Sequence, residues 1–533
     1  MPSEELHRVF TYETRLHIES SDAEILDACA DLLSRLEREL FADIASGKAP
    51  GDLKSTYLTT HQVTARHFNA LRVQIEGKIA SIQQQQIGQI ADLQHKIEGL
   101  EKALQKASAG TRSNKRHQKQ RRLFHLKRKL EQLESDRREG VVRLCFGSNR
   151  LFRAQFDLAA NGYANHAEWL QEWQEARKNS FFLLGSKDEN SGNQSCIMSV
   201  ADNGSLTLNI RLPDALRSGP EKYLAISGIH FRYGHQEILK ALASCEKRKA
   251  LKKLGDGSYK HHGLPLSFRF KRDVKGWRVF VSVPTVKATQ SSTDQHGVIG
   301  VDVNADHLAM TETDRFGNPV CKRSIPLNTY GKTRHQTLAL IGDACATIIS
   351  HAKTTGKTVV VEKLDFQKKK AALRENGSPK LARMLSSLAY NGIKNGLEAK
   401  GWKEGVSVYQ VNPAFTSLIG RVKFAKRYGL SIHHAAALVI GRRYLGVSER
   451  VPRHLDQIPD GKNGYVALSL PVRNRDKHVW TLWKALQKKL GTVLVAHFRA
   501  IKDRSSSLKT ALETQIPNLV GAIPAREFAN TAA

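Results

Sequence analysis

Two carboxylates that end apolar segments are the strongest candidates for catalysis in this sequence. Asp302 closes the segment that begins at Val298, and Glu362 closes the segment that begins at Lys357. Both segments read as buried strands, and a buried carboxylate is costly unless a cation or hydrogen bonds compensate it. The two acids therefore predict a site where divalent metal ions are held against a scissile phosphate, with Asp302 and Glu362 as catalytic residues.

A pair of histidines, His433 and His434, follows Ser431. With Ser431 as N-cap, both lie in the first turn of a helix, where the positive end of the dipole disfavours imidazolium. A neutral imidazole can complete a metal shell or accept a proton from attacking water. We expect at least one of the two to be catalytic, His433 ahead of His434. The alternative is that one of them only packs or hydrogen bonds at the helix start.

The strands and helices expected around these residues form an α/β domain over residues 297–447. A strand ending at Asp302 is followed by a turn through Asn304-Ala305-Asp306, a second strand and a turn into a third. A helix over Thr337 to Ala352 leads into the strand that ends at Glu362. Three consecutive strands of this kind are typical of an RNase H-like sheet. Residues 448–533 form a C-terminal extension, with a helix over Trp480 to Lys502, a loose tail and no assignable role.

The first half predicts an α+β arrangement, so the whole chain is expected to be multidomain. Residues 1–20 and 141–287 alternate in the manner of strands and predict a β-rich nucleic-acid-binding domain, a small β-barrel or a sheet platform. Residues 21–140 predict an inserted helical lobe that starts with a capping box at Ser21. Leucines and isoleucines at three- and four-residue steps predict an antiparallel helical hairpin with its turn around Gly110.

Positive charge points to a polyanionic partner. The 533 residues carry a formal net charge of +32, and such a surface binds phosphate backbones by releasing counterions. Two stretches are basic. The first lacks interspersed acids, and its alternative interpretation is a solvated helix face. The residues expected to bind nucleic acid are Lys115, Arg116, Lys119, Arg121 and Arg122 on the hairpin and Arg421, Lys423, Lys426 and Arg427 before the histidines.

Cysteine spacing and hydropathy exclude several classes. The six cysteines contain no Cys-x-x-Cys pair, so neither a disulfide framework nor a zinc ribbon is expected, and no Zn²⁺. No apolar run has the length of a membrane helix, and the N-terminus lacks the features of a signal peptide. We expect a cytoplasmic, nucleoid-associated protein without a membrane partner.

The order of the motifs resembles a known family. Val298 to Asn304, Val360 to Asp365, Val411 to Ser417 and His433 to Ile440 follow one another as in TnpB, the RNA-guided nuclease of insertion sequences, and in the compact type V CRISPR effectors. The resemblance is specific only from about residue 297 to 445. It implies a RuvC domain with two Mg²⁺ ions, a guide RNA and a double-stranded DNA target. By position, Asp302 and Glu362 carry over as the first and second metal ligands.

Two departures from the family pattern matter. The four-cysteine zinc ribbon is missing, and Leu418 to Leu430 is a short basic stretch instead. In addition, His433 stands where the family has its third aspartate, which makes it the expected third metal ligand and favours tolerance of Mn²⁺. We therefore expect an RNA-guided DNA endonuclease. The rival is a guide-directed DNA-binding protein that has lost cleavage and represses by occupying its target.

Overall fold

The computed structural model describes residues 7–106, 113–186, 189–217, 219–252, 264–304, 306–363, 387–447, 449–452, 457–461, 464–472, 476 and 478–520. The chain divides into two compact units, Met1–Val286 and Lys287–Ala533. None of the described helices is long and apolar enough to cross a membrane. The fold is a mixture of helices and sheets in both units.

Two antiparallel sheets form the β-structure of the first unit. The strands are β1 (His7–Arg15), β2 (Ser180–Leu183), β3 (Cys196–Val200), β4 (Leu206–Arg211), β5 (Tyr223–Ile229), β6 (Ser267–Asp273) and β7 (Gly276–Val286). Their orders are β1-β7-β6-β2 and β3-β4-β5. Because β1 and β2 stand at opposite edges, the described strands form open sheets and not the closed barrel that was the first of the two expectations. The pairing of β1 with β7 joins the N-terminus to the end of the unit.

Several helices of the first unit pack against these sheets, and the unit also contains a long helical hairpin and a short helical pair. They are α1 (Ser20–Ala45), α2 (Pro50–His61), α3 (Ala65–Lys106), α4 (Ser113–Arg138), α5 (Asn149–Ala154), α6 (His166–Arg177) and α7 (His235–Lys252). The predicted capping box at Ser21 is wrong, because Ser21 already lies inside α1 and Glu19 is its N-cap. Lys127 pairs with Glu101 at 2.8 Å, which places α4 antiparallel to α3. The predicted turn around Gly110 lies outside the described residues.

A five-stranded sheet is the centre of the second unit. The strands are β8 (Thr293–Val303), β9 (His307–Thr313), β10 (Pro319–Pro326), β11 (Lys357–Glu362) and β12 (Val408–Val411), and a separate pair is formed by β13 (Gln457–Pro459) and β14 (Tyr465–Ala467). The order is β10-β9-β8-β11-β12. Neighbours among β8, β9 and β10 are antiparallel, whereas β11 is parallel to both β8 and β12. The carboxyl ends of β8, β11 and β12 therefore share one edge of the sheet.

The helices of this unit are α8 (Arg334–Thr355), α9 (Ser387–Glu404), α10 (Thr416–Ile419), α11 (Lys426–Tyr428), α12 (Ile432–Tyr444) and α13 (Val479–Val520), with a π-helix over Gly420–Ala425. Thr333 and Gln336 form a capping box that starts α8, and Gly356 ends it in a left-handed conformation. The prediction of a loose tail after Lys502 is wrong as far as Val520, because α13 continues through those residues.

Alternation along β8 and β11 divides their side chains between two faces. Ile299 and Val301 pack with α8 in one core, whereas Val298 packs with Val360 and Ile440 of α12 in another. Side chains two residues apart on a strand share a face. Asp302 therefore lies on the α12 face, together with Val298 and Gly300, and Glu362 lies on the same face as Val360.

Candidate active site

The register of two parallel strands brings the predicted carboxylates together. Val361 of β11 pairs with Val301 of β8, so Glu362 and Asp302 are the next residues on neighbouring strands. Neighbouring strands lie about 4.8 Å apart. Both acids are buried: Asp302 has 6% of its surface exposed and Glu362 has 8%. Two carboxylates placed side by side repel each other when ionised, and a divalent cation removes that repulsion.

A close helix-to-sheet contact positions the histidines over this edge. A Cβ on Gly300 would lie 1.9 Å from the carbonyl oxygen of Ala437, so only glycine allows α12 to approach β8 this closely. The facing residues Ala435, Ala436 and Ala437 are fully buried. The Ser431 side chain accepts a hydrogen bond from the His434 amide and caps α12, as the sequence predicts. The helix therefore starts next to Asp302.

His433 contacts the first carboxylate directly. Its Nδ1 lies 3.4 Å from Asp302 Oδ2, and about half of its side chain is exposed. The hydrogen bond to Asp302 raises the pKa of His433, and burial opposes that rise only in part. The helix start was expected to lower the pKa of this imidazole, whereas the adjacent carboxylate shifts the pKa in the opposite direction. The His307 ring meets the His433 ring edge-on at 5.1 Å between centroids.

His434 points elsewhere. Its Nδ1 lies 2.7 Å from the Ser431 hydroxyl and its Nε2 3.3 Å from the Ser324 hydroxyl on β10. Burial is the main cause that lowers the pKa of His434. Its carbonyl oxygen also accepts a hydrogen bond from Thr311 at 2.8 Å. These contacts fit the interpretation of a histidine that hydrogen bonds at the helix start, and the catalytic role of His434 stays a prediction that they do not support.

Partners that sequence reasoning missed orient both carboxylates. The Asn304 side-chain amide donates to Asp302 Oδ2 at 3.0 Å. The Thr416 hydroxyl donates to Glu362 Oε1, and the Tyr390 hydroxyl donates to the carbonyl oxygen of Glu362. Asn304 and Thr416 belong to the segments that carry the family resemblance, which was the available signal. Nothing in the sequence pointed to Tyr390, because its role depends on a contact with a distant strand.

Backbone strain marks the segment that supplies Thr416. Phe415 adopts a left-handed conformation with φ of 62°, which is unusual for a bulky side chain. Such conformations persist where the surrounding structure imposes them and are common at functional sites. Phe415 also packs edge-on against Trp480 at 6.2 Å between ring centroids. The C-terminal extension thus contacts the segment that holds Glu362 in place.

The C-terminal extension shares a core with the helices of the site. Trp483 is fully buried, and its indole Nε1 donates to the Glu449 carbonyl oxygen at 3.0 Å. The core contains residues of the extension together with the π-helix and α12; among them are Ile458, Val466, Trp483, Leu486, Val422, Phe424, Leu438 and Val439. Residues 448–533, to which the sequence assigned no role, therefore include a segment that supports the elements carrying Thr416 and His433.

A second cluster of polar side chains lies on the α8 face of the same sheet. Glu312 is 7% exposed and accepts hydrogen bonds from Lys357 at 2.7 Å and His351 at 2.9 Å. Three potential ligand atoms, one each from Glu312, Cys321 and His351, lie within 4.8 Å of one another. This is the only such group of potential metal ligands in the part of the chain that the structure describes. Lys357 already neutralises this carboxylate. Asp302, Glu362 and His433 are spaced more widely.

The predicted nucleic-acid contacts divide into exposed and half-buried residues. Arg116, Lys119, Arg121 and Arg122 are exposed on α4, and Lys115 lies in the same helix. Of the second set, Lys426 and Arg427 are exposed, whereas the Arg421 Nε donates to the Pro459 carbonyl oxygen at 2.6 Å. Burial lowers the pKa of both Arg421 and Lys423. Contact of these residues with nucleic acid stays a prediction.

No family model and no curated protein matches the chain. Solved structures show distant similarity. RuvC of T. thermophilus in complex with a Holliday junction substrate is 14% identical, over 27% of this chain and 88% of that chain, with a TM-score of 0.20. A Cas12f ternary complex is 13% identical over 81% of this chain and 98% of that chain, with a TM-score of 0.19. TM-scores this low do not establish a shared fold, so the function of this chain has to follow from its own residues.

Proposed function

We propose that this protein is a metal-dependent endonuclease that hydrolyses phosphodiester bonds of DNA at the edge formed by Asp302 and Glu362. One observation carries the proposal. The parallel register of β8 and β11 places two buried carboxylates on neighbouring strands and on one face. Carboxylate oxygens are the ligands that Mg²⁺ prefers, and Mn²⁺ also accepts imidazole. The donor set of Asp302, Glu362 and His433 therefore fits either ion.

Two bound ions would supply an activated water and stabilise the attacking and leaving oxygens. The residues of the chain have separate tasks. Asn304 and Thr416 fix the orientation of Asp302 and Glu362 through their hydrogen bonds. His433, which is half-exposed beside Asp302, either completes the ligand set or holds a proton at an imidazole nitrogen. Ser431, as the N-cap of α12, holds the helix start in place.

We further propose that a guide RNA selects the DNA target. The support is the family resemblance of the four motif segments and the formal net charge of +32. The exposed arginines and lysines of α4 are the proposed contacts to the phosphate backbone. Specificity would then come from base pairing and not from side chains.

The contact between His433 and Asp302 also favours a second candidate. An imidazolium at this position neutralises Asp302 with a charge of the protein itself, which weakens the requirement for a metal. A chain in that state would bind its DNA target under RNA guidance without cutting it, as a repressor does. Cleavage by the wild-type protein separates the two candidates, because a binder that has lost cleavage cuts no DNA. Substitution of His433 then shows whether a nuclease uses this residue in its ligand set or as a proton acceptor.

The test is cleavage of a plasmid by the protein purified with its RNA, in Mg²⁺ or Mn²⁺. Asp302→Ala and Glu362→Ala are each expected to lower the rate by about a thousandfold or more, since each removes ligands worth several kcal/mol. Both variants should retain RNA binding in a gel-shift assay. Undiminished cutting by either variant refutes the proposed site. Sequencing of the copurified RNA tests guidance, which predicts one defined species.

If His433→Ala cuts as fast as the wild-type protein, the histidine has no part in the chemistry. If no variant and no wild-type preparation cuts, and the copurified RNA is nevertheless a single defined species, the guide-directed binder is the correct candidate. Ser350→Ala, at an exposed position of α8, serves as a matched surface control for expression and loading with RNA.

A further inference from the structure

An exposed phenylalanine stands on the tight turn between β9 and β10. Phe316 is 63% exposed, and the guanidinium carbon of Arg315 lies 4.7 Å from the centre of its ring. Asp314 holds the turn by accepting hydrogen bonds from the amides of Phe316 at 2.9 Å and Asn318 at 2.8 Å. The ring is therefore carried by a well-ordered backbone and keeps much of its surface available.

The neighbouring elements lock this turn in place. Arg442 of α12 donates to the Gly317 carbonyl oxygen at 2.5 Å, and the Tyr428 hydroxyl donates to Asn318 Oδ1 at 3.3 Å. A Cβ on Gly317, which has φ of 77°, would lie 3.0 Å from the Arg442 guanidinium. Such a supported, exposed ring is pre-organised, so stacking on it costs little conformational entropy.

The surface around Phe316 is strongly cationic. Arg427 lies over the Tyr428 ring at 5.2 Å, and Arg442 lies over the Phe424 ring at 4.7 Å. Burial is the main cause that lowers the pKa of Arg442. Tyr428 opposes this shift, and Arg427 adds to it. Asp314 is engaged by the amides of its own turn. Among the described residues, no ion pair involves Arg427, which is exposed.

An exposed phenylalanine alone needs no explanation, but a ring flanked by arginines on a pre-organised turn has the chemistry of a base-stacking platform. Bases in a duplex present only their edges, so a ring can stack only on an unpaired base. The cations fit the phosphates on both sides of that base. The occupant is therefore a single strand and not a duplex.

The sheet places this platform on a path to the carboxylates. Ala309 pairs with Asp302, and β9 is buried from there to Thr313, next to the turn. The edge strand β10 starts at the turn and runs beside β9, with mostly exposed side chains, back to Ser324, which pairs with Ala309. This part of the strand spans about 14 Å. A single strand that stacks on Phe316 can therefore extend along the exposed edge strand β10 towards the position of Asp302. Such a strand is the DNA strand that is to be cut and not the guide RNA.

We propose that Phe316 and Arg315, with Arg427 on the element whose Tyr428 hydrogen bonds to the turn, form a binding site for an unpaired base and the flanking phosphates of single-stranded DNA. The inference deepens the proposed function and rests on it for the identity of the strand. It assigns a stacking site to a turn that none of the motif segments contains.

The experiment measures binding of a short, labelled, mixed-sequence single-stranded DNA by fluorescence anisotropy, in EDTA, with the full-length protein and its copurified RNA. Phe316→Ala should weaken binding about 5- to 150-fold, the range for loss of one stacked base, whereas Phe316→Trp should preserve it. Arg427→Ala should lower the salt dependence by the equivalent of about one phosphate. Val320→Ala, at an equally exposed position of the same hairpin with 62% of its surface accessible, should have no effect.

Unchanged single-stranded DNA binding by Phe316→Ala overturns the inference, and so does an equal loss in Val320→Ala. A loss confined to labelled single-stranded RNA overturns the assignment to DNA. Equal losses for duplex and single strand overturn the stacking role. Because no cleavage is measured, a protein that binds through Phe316 but never cuts refutes only the proposed function, and a protein that cuts while Phe316→Ala binds normally refutes only this inference.

Discussion

Asp302 and Glu312 are buried carboxylates on neighbouring strands of one sheet, with 6% and 7% of their surface exposed, but their surroundings differ. Glu312 has a lysine at 2.7 Å and a histidine at 2.9 Å. Asp302 has an amide at 3.0 Å and a half-exposed histidine at 3.4 Å, and no lysine or arginine of the described residues forms an ion pair with it. The protein supplies a permanent counter-charge to Glu312 only.

Under the proposed function, this difference separates a structural carboxylate, Glu312, from a metal-binding one, Asp302. A buried ion pair satisfies its own charges and leaves nothing for a ligand, even where a cysteine and a histidine complete a compact set of metal-ligating atoms. Asp302 instead adjoins Glu362, a second acid on the next strand. We therefore propose that an external cation binds at the carboxyl ends of β8 and β11 and not on the α8 face.

The largest effect on stability is expected from breaking the structural pair. Glu312→Ala leaves the Lys357 ammonium buried without its carboxylate, which should lower the free energy of unfolding by about 3–5 kcal/mol. Asp302→Asn removes no internal ion pair with lysine or arginine and should change it by less than about 1 kcal/mol. Urea unfolding followed by circular dichroism measures both. Equal losses in the two variants contradict the comparison.

A smaller effect is expected at the contact that positions His433. Gly300→Ala places a methyl group against the backbone of α12 and should cost about 1–3 kcal/mol, with a loss of cleavage because the helix start moves away from Asp302. Gly342→Ala is the matched control, since a Cβ at this position of α8 meets nothing within 4 Å. Alanine there should stabilise by up to about 1 kcal/mol. Unfolding and cleavage assays on both variants test this prediction. A Gly300→Ala variant with unchanged stability and an unchanged cleavage rate refutes the role of the close contact.

The smallest effect concerns pH. Burial raises the pKa of Glu312, but hydrogen bonds from Lys357 and His351 outweigh it and the pKa is lowered. A lowered pKa means that this pair stabilises the fold above the unfolded pKa of about 4.3 and that the contribution is lost as the pH falls through the folded pKa. The stability difference between the wild-type protein and Glu312→Gln should therefore shrink in acid. A stability difference between the two proteins that stays constant below about pH 4 would contradict this prediction.

Sequence reasoning located Asp302 and Glu362 because an acid at the end of an apolar strand is a local pattern. It also placed His433 correctly at the start of a helix, since Ser431 is a local capping signal. It missed the direction in which the pKa of His433 is shifted, because the carboxylate that raises this pKa comes from a strand distant in sequence. The same limit applies to Thr416, Tyr390 and the Lys357–Glu312 pair, whose partners are set by strand register and helix packing.

The central claim is that the carboxyl ends of β8 and β11 need an external cation. Calorimetric titration of Mn²⁺ into the full-length protein tests it most directly, with thermal unfolding as a second readout. We predict saturable binding that is lost in Asp302→Ala and Glu362→Ala and retained in Glu312→Gln, and a stabilisation of about 2.7 kcal/mol when the free ion is at a hundred times its Kd. Mn²⁺ binding that survives Asp302→Ala, or that disappears in Glu312→Gln while the fold persists, would contradict the account.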